Sequence, residues 1–167
     1  MSNTFTQNHI IYWPAEFSNV VDSLKGLNST GEQIAPATYR FNWGPIMLAA
    51  SIGLRAKRQR DVSGKRQEIS VSTFEGQSLF GQTRLSTLIQ MIGLIHTNDP
   101  EIVRPEREEE CCRIFERYVA GGLEILNSRL LGMDDPSGEN TLKRLCIDYG
   151  EIDSSEVVEK LQKFLST

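Results

Sequence analysis

Six basic side chains crowd into a twelve-residue stretch: Arg55, Lys57, Arg58, Arg60, Lys65 and Arg66, with Asp61 as the one acid among them. Cations at that density can bind phosphates by direct contact and by releasing counterions. Arginine adds a two-pronged geometry that matches phosphate oxygens. No aromatic pattern of the base-stacking kind accompanies them, so any nucleic-acid contact would be to the backbone. Three readings of the stretch stand side by side. It is a solvated charged face, a face for DNA phosphates, or a face for carboxylates, either in this chain's own acidic C-terminal half or on a protein partner.

The other reactive residue types are poorly arranged for catalysis. His9 and His96 are far apart, with no ligand spacing around either. Ser63-Gly64-Lys65 lacks the earlier glycine of a phosphate loop and its strand–loop–helix setting. Glu108, Glu109 and Glu110 point in diverging directions on a helix, so they read as a solvated start favoured by the helix dipole. Cys111 and Cys112 diverge likewise, and with Cys146 they make an odd number. The three read as reduced thiols packed as small hydrophobes, with no disulfide framework. The expectation is no catalytic residue, no metal and no cofactor. A hydrolase would need carboxylates converging on the basic stretch in space.

The elements that must position the basic stretch follow from periodicity. The chain has 167 residues, 39% apolar and 24% charged, which fits one domain of 1–167 able to bury a core without disulfides or metal. Its net charge is −4, with the basic stretch offset by an acidic excess after residue 100. No apolar run is long enough for a transmembrane helix, and the N-terminus does not read as a secretory signal, so a cytoplasmic protein is expected. Residues 1–13 read as an extended arm whose aromatics, Tyr12 and Trp13, dock on the core before Pro14 starts a helix. Phe17, Val20, Val21 and Leu24 give that helix one apolar face. Gly26 ends it, and residues 27–40 form a polar loop.

Phe41–Leu54 is apolar nearly all round, the mark of a central helix. Asn42 is its expected cap, Pro45 fits its first turn, and Gly53 is expected to weaken or end it. Gly64 suits a turn, and residues 68–72 alternate as a half-buried strand. A partner strand at 59–62 would complete a hairpin with basic side chains at its tip. Phe74–Gly81 reads as a loop. Leu85, Leu88, Ile89, Ile92 and Ile95 predict an interior helix over 84–96. The longest helix is expected over 106–131, where Gly121 and Gly122 imply a kink, a break, or a close backbone approach. After a connector at 132–139 comes a short helix at 142–149. A last amphipathic helix within 150–167 follows, carrying Val157, Val158, Leu161, Phe164 and Leu165. The fold class expected is mainly α (α+β): a bundle of five to six helices with a small β-hairpin near 58–73.

Several pieces taken together are more specific than any alone. They are Leu48-Ala49-Ala50-Ser51-Ile52-Gly53-Leu54, the basic turn through Arg58 and Arg60, Glu68-Ile69-Ser70-Val71, Phe74-Glu75, the helix at 85–95, and the block from Ile114 to Leu123. This order resembles the Dnd-system-associated protein 4 family, small proteins associated with DNA phosphorothioation in bacterial and archaeal defence islands. The resemblance spans residues 36–131 and leaves out the N-terminal arm and the last helix. It departs from the family pattern at Tyr118-Val119-Ala120, where Tyr-Ala-Asn would precede the two glycines. It implies a setting of phage defence by modification and restriction of DNA. The role expected is a non-catalytic accessory one. The partners implied are other proteins of the modification or restriction system, double-stranded DNA, or a second copy of the chain, with no membrane. No catalytic residue is carried over.

Overall fold

Two helices meet backbone to backbone at the centre of this computed structural model, which describes residues 4–79, 83–130 and 138–150. They are α2 (Trp43–Arg55) and α5 (Glu108–Leu130). A Cβ added to Gly122 would overlap the carbonyl oxygen of Ala49 and lie 2.5 Å from its carbonyl carbon. One on Gly53 would overlap the Tyr118 carbonyl oxygen, and one on Gly121 that of Arg58. Ala49 and Ala50 are fully buried at the same crossing. Of the three readings of the glycine pair in α5, the close backbone approach is the one found, and α5 runs unbroken. Gly53 likewise does not end α2.

The end of α2 is set by Lys57, which takes the left-handed conformation at φ 53°. The Lys57 N–H donates to the Leu54 carbonyl and the Arg58 N–H to the Gly53 carbonyl at 2.8 Å. These are the two bonds that close a helix when a left-handed residue follows its cap. At the other end Asn42 is itself helical and makes no side-chain cap, although Pro45 sits in the first turn as expected.

The remaining helices pack around this pair. A 3-10 turn (Ala15–Phe17) leads into α1 (Ser18–Leu24), which buries Phe17, Val20, Val21 and Leu24. The helix α4 (Thr87–Thr97) lies on α5 and draws close through Gly93, which faces the Cys111 sulfur. It is not interior all round: Leu85, Ile89 and Ile92 are buried, but Met91 is 46% and Ile95 62% exposed. The last described helix, α6, spans Glu139–Gly150. Residues 132–137 of the connector expected over 132–139, and the terminal helix expected after Gly150, lie outside the described residues.

The fold is mainly helical with a two-stranded antiparallel sheet, as the sequence predicts, but the pairing joins distant segments. β1 (Ile10–Pro14) pairs with β2 (Arg66–Ser70), in register from Ile10 opposite Ser70 to Pro14 opposite Arg66. The N-terminal arm thus takes the place expected for residues 59–62, which form no strand. Pro14 sits at the strand end, where its missing N–H costs no ladder bond. Ile11 and Trp13 are buried while Tyr12 points the other way, the period of a half-covered strand. Ser70 ends β2 and caps the short α3 (Val71–Glu75), so Val71 and Phe74 enter the core from a helical turn instead of a strand or loop. A second pair, β3 (Ser78–Leu79) with β4 (Thr83–Arg84), is two residues long.

The crossing yields a direct test. Gly122→Ala must push rigid backbone aside and should cost about 3 kcal/mol in denaturant unfolding. Gly64, unlike Gly122, has a positive φ, and open space surrounds it. Gly64→Ala should therefore cost only about 1 kcal/mol, the backbone penalty alone.

Candidate functional site

The crossing fixes where the basic stretch runs. After Lys57 turns the chain out of α2, the Arg58 carbonyl lies against Gly121 and the Arg60 N–H donates to the Arg117 carbonyl at 3.0 Å. The chain then turns at Gly64, φ 74°, and enters β2. The stretch is thus strapped across α5 and is not the free hairpin tip expected from the sequence. Arg55, Lys57, Arg58, Lys65 and Arg66 are exposed and Arg60 is half-buried.

The six cations form a belt in three parts. Arg55 and Lys57 stand at the rim of a groove of about 710 Å³ between the end of α2 and the outer face of α4. The Arg55 Nε donates to the Tyr149 carbonyl at 3.1 Å. In the middle, Arg58 pairs with Glu124 at 2.7 Å and Arg60 pairs with Glu16 at 2.5 Å. Arg60 also lies over the Phe17 ring, 5.3 Å from its centre. With Lys65, Ser63 and Gln67 it lines a polar hollow of about 540 Å³. At the far end, the Arg66 guanidinium stacks 3.9 Å over the centre of the Tyr12 ring, its diagonal neighbour across the sheet. Contact with the chain's own acidic C-terminal half, one of the three readings, is therefore real through Glu124, which meets Arg58 and lies 3.9 Å from Arg60; Glu16 belongs to the N-terminal side. Such pairs contribute little stability at an exposed surface.

The groove carries a polar cluster that the sequence does not announce. Gln59 Nε2 donates to the Tyr118 hydroxyl at 3.1 Å, and that hydroxyl lies 3.0 Å from His96 Nδ1. The two rings meet edge to face. His96 is thus held by Tyr118, from α5.

Of the described carboxylates, Glu16 and Glu124 meet the belt, and Glu75, Glu108 and Glu116 hold the N-terminal arm. Glu108, read as solvated, is buried; it accepts from the Thr6 N–H at 2.6 Å, the Thr6 hydroxyl at 3.1 Å, the Gln7 N–H at 3.3 Å, and sits 2.9 Å from His9 Nε2. A signal was present: Glu108 falls on the same helical stripe as Cys112, Phe115 and Val119, and an acid on an apolar stripe is a buried acid. Glu75 accepts from the Phe5 N–H at 3.0 Å and from Arg84 at 2.8 Å. Glu116 accepts from the Tyr12 N–H at 2.7 Å. Burial pushes the Glu116 carboxyl up despite that bond and the nearby Arg66. Burial alone would raise Glu108 too, but the bonds from Thr6, His9 and Gln7 outweigh it and hold the carboxyl below its ordinary 4.5. Glu75 is held low in the same way, chiefly by Arg84.

Cys111 and Cys112 are buried, and desolvation pushes Cys111 up to about 11 and Cys112 higher still; Cys146 is exposed. Among the described residues, no group of three His, Cys, Asp or Glu side chains is placed to hold a metal ion, and no helix is long and apolar enough to cross a membrane.

The profile of one protein family, DNA sulphur modification system-associated protein 4, matches residues 12–164. The chain belongs to that family. Membership associates it with a DNA sulphur modification system, the setting its sequence pattern implies. The match reaches further than residues 36–131: it takes in the chain from Tyr12 through Phe164, hence most of β1 and much of the segment after Gly150. The elements that anchor the basic belt, from Tyr12 of β1 through α5, therefore lie within the matched residues. No curated protein and no solved structure matches the chain.

The buried acids predict the pH dependence of stability. Glu108 and Glu75 have folded-state pKa values below their unfolded ones, so the stability they contribute is present above the ordinary glutamate range. It is lost as pH falls through the lowered values. Glu116, raised, acts in the opposite sense. Thermal melting should show stability falling below about pH 5, and Glu108→Gln should flatten that fall. The same variant should cost about 2 kcal/mol at neutral pH, because the arm loses a charged acceptor.

Proposed function

We propose that this protein is a non-catalytic accessory component of a DNA sulphur modification system, and that it acts by binding. Its contact face is the belt of Arg55, Lys57, Arg58, Arg60, Lys65 and Arg66, and the ligand is the phosphate backbone of double-stranded DNA. Family membership supports the setting. The observation that carries the contact face is the backbone of Lys57. A lysine at φ 53° occupies a position that glycine fills without penalty. Strain of about 1 kcal/mol kept at an exposed cation is expected where the side chain is used. Pinning by Gly121 and Arg117 adds to this, since a cationic face that is already ordered loses less entropy on binding.

Lys57→Gly separates the two roles of the residue. Its melting temperature should rise, because glycine relieves the backbone. Its affinity for a short labelled duplex at low salt should fall, and the slope of log affinity against log salt should shrink by about 0.9, one phosphate contact. Lys57→Gly/Lys65→Gln should shrink the slope by about twice that amount. A wild-type protein that binds no duplex at low salt, or variants with unchanged slopes, would remove DNA from this reading.

A second reading is a protein-only adaptor that self-associates or bridges components of the system. One observation favours it: Glu16 and Glu124 already engage Arg60 and Arg58. A face that accepts carboxylates from its own chain can accept them from a partner. Light scattering and co-purification with the system's other proteins separate the readings. The adaptor requires a complex that survives nuclease treatment, and a strict monomer without such a complex excludes it.

A further inference from the structure

The polar hollow in the middle of the belt gathers hydrogen-bond donors around a single acid. Its two walls are fixed. One is the chain leaving β1 through Pro14 into the turn at Ala15–Phe17, and the other is the chain turning at Gly64 into β2. The Ala15 N–H donates to the Lys65 carbonyl at 3.0 Å and ties the walls together beyond the last rung of the sheet. Arg60 reaches the hollow from the strap on α5, held by its backbone bond to Arg117 and by the Phe17 ring under its guanidinium. The Lys65 ammonium, the Ser63 hydroxyl and the Gln67 amide line the same space and engage no partner among the described residues. The backbone N–H groups of Ser63, Gly64 and Lys65 have no acceptor there either. Asp61 is turned onto Arg117 at 3.1 Å and does not line the hollow, which leaves Glu16 as its one acid.

Cations and donors with one carboxylate for an acceptor suit a ligand made of acceptor oxygens, a phosphoryl group. Glu16 marks where such an oxygen sits, 2.5 Å from an Arg60 nitrogen. Its backbone is anchored, because Phe17 beside it is buried, but its side chain is 56% exposed and can rotate into solvent. Arg60 stays in place when it does, since the Phe17 ring and the Arg117 carbonyl still hold it. Glu124 is no substitute: it pairs with Arg58 and lies 3.9 Å from Arg60. We propose that the hollow seats one phosphate group between Arg60, Lys65 and the turn at 63–65, and that Glu16 is a competitor that swings out before the phosphate enters. An anion must then outbid a carboxylate already in position, which selects against weak ones. For the source of the phosphate, a backbone diester, the inference rests on the DNA reading; the seat itself rests on the donors of the hollow.

Nuclear magnetic resonance titration of the full-length, isotope-labelled protein with inorganic phosphate tests it, at fixed pH and with ionic strength held constant by chloride. The amide signals of Ser63, Gly64 and Lys65 and the Arg60 Nε–H signal should shift and saturate. Glu16→Gln should bind phosphate about fivefold tighter, because one competing charge pair at an exposed surface is gone. Arg60→Gln should lose the saturable shifts while keeping its backbone bond to Arg117, and unchanged signals outside the hollow report that it is folded. Equal affinity in the wild type and Glu16→Gln would overturn the proposal. Shifts spread over the exposed lysines and arginines without saturation would overturn it as well. A duplex with hydroxyl ends, at low salt, then separates the sources. Tighter duplex binding by Glu16→Gln assigns the seat to a backbone diester. Tighter phosphate binding with no duplex bound by either protein assigns it to free phosphate, and removes the DNA reading but not the seat. Duplex binding without the phosphate shifts removes the seat and leaves the DNA reading standing.

Discussion

The fold depends on backbone touching backbone where α2 crosses α5. At Gly53, Gly121 and Gly122 there is no room for a methyl group, and the atoms in the way are carbonyls that cannot move aside. Close approach of this kind brings large side chains on either flank into contact, including Ile46 from α2 and Phe115 and Leu123 from α5, all fully buried. It also decides the path of the chain beyond α2. Once Gly121 accepts the Arg58 carbonyl, the Arg60 N–H falls beside Arg117, and the basic stretch lies along α5 before it enters the sheet.

The charges divide between two tasks. Acids on the inner side, Glu75, Glu108 and Glu116, bind backbone N–H groups of residues 5–12 and hold the arm against the core. The N–H groups of Phe5, Thr6 and Gln7 precede β1 and that of Tyr12 lies within it, and a buried donor without an acceptor is costly. Acids on the outer side, Glu16 and Glu124, orient Arg60 and Arg58. The arm, β2 and the belt thus form one connected unit on α5. Tyr12 joins its parts: its N–H goes to Glu116, and its ring lies under Arg66.

Much of the helical framework was legible because a 3.6-residue period survives without knowledge of the partner. α1, α2, α4 and α5 all lie close to where their apolar spacing puts them, and Gly64 takes its positive φ. The glycine pair in α5 signalled a close approach among other readings; which backbone approaches is a property of two distant segments. The same limit hid the strand pairing. Residues 10–14 and 66–70 are joined by no short turn, so local pattern favoured a hairpin that residues 59–62 cannot make while Arg60 is bonded to α5. Ile95 fits the inward stripe of α4 by spacing, yet α2 ends at Arg55 and the groove opens there. Of the candidate site, residue types and order could be read, but their division into groove rim, paired arginines and stacked Arg66 required the fold.

The central claim is that the basic stretch is an ordered face built onto α5. Amide hydrogen exchange at Arg58 and Arg60 measures this most directly, since their N–H groups donate to Gly53 and Arg117. The account predicts that both are protected by orders of magnitude over the exposed loop at Gly31 and approach the protection of Val119 inside α5. Exchange of Arg58 and Arg60 at the rate of Gly31 would show that the stretch moves free of the crossing, and would contradict it.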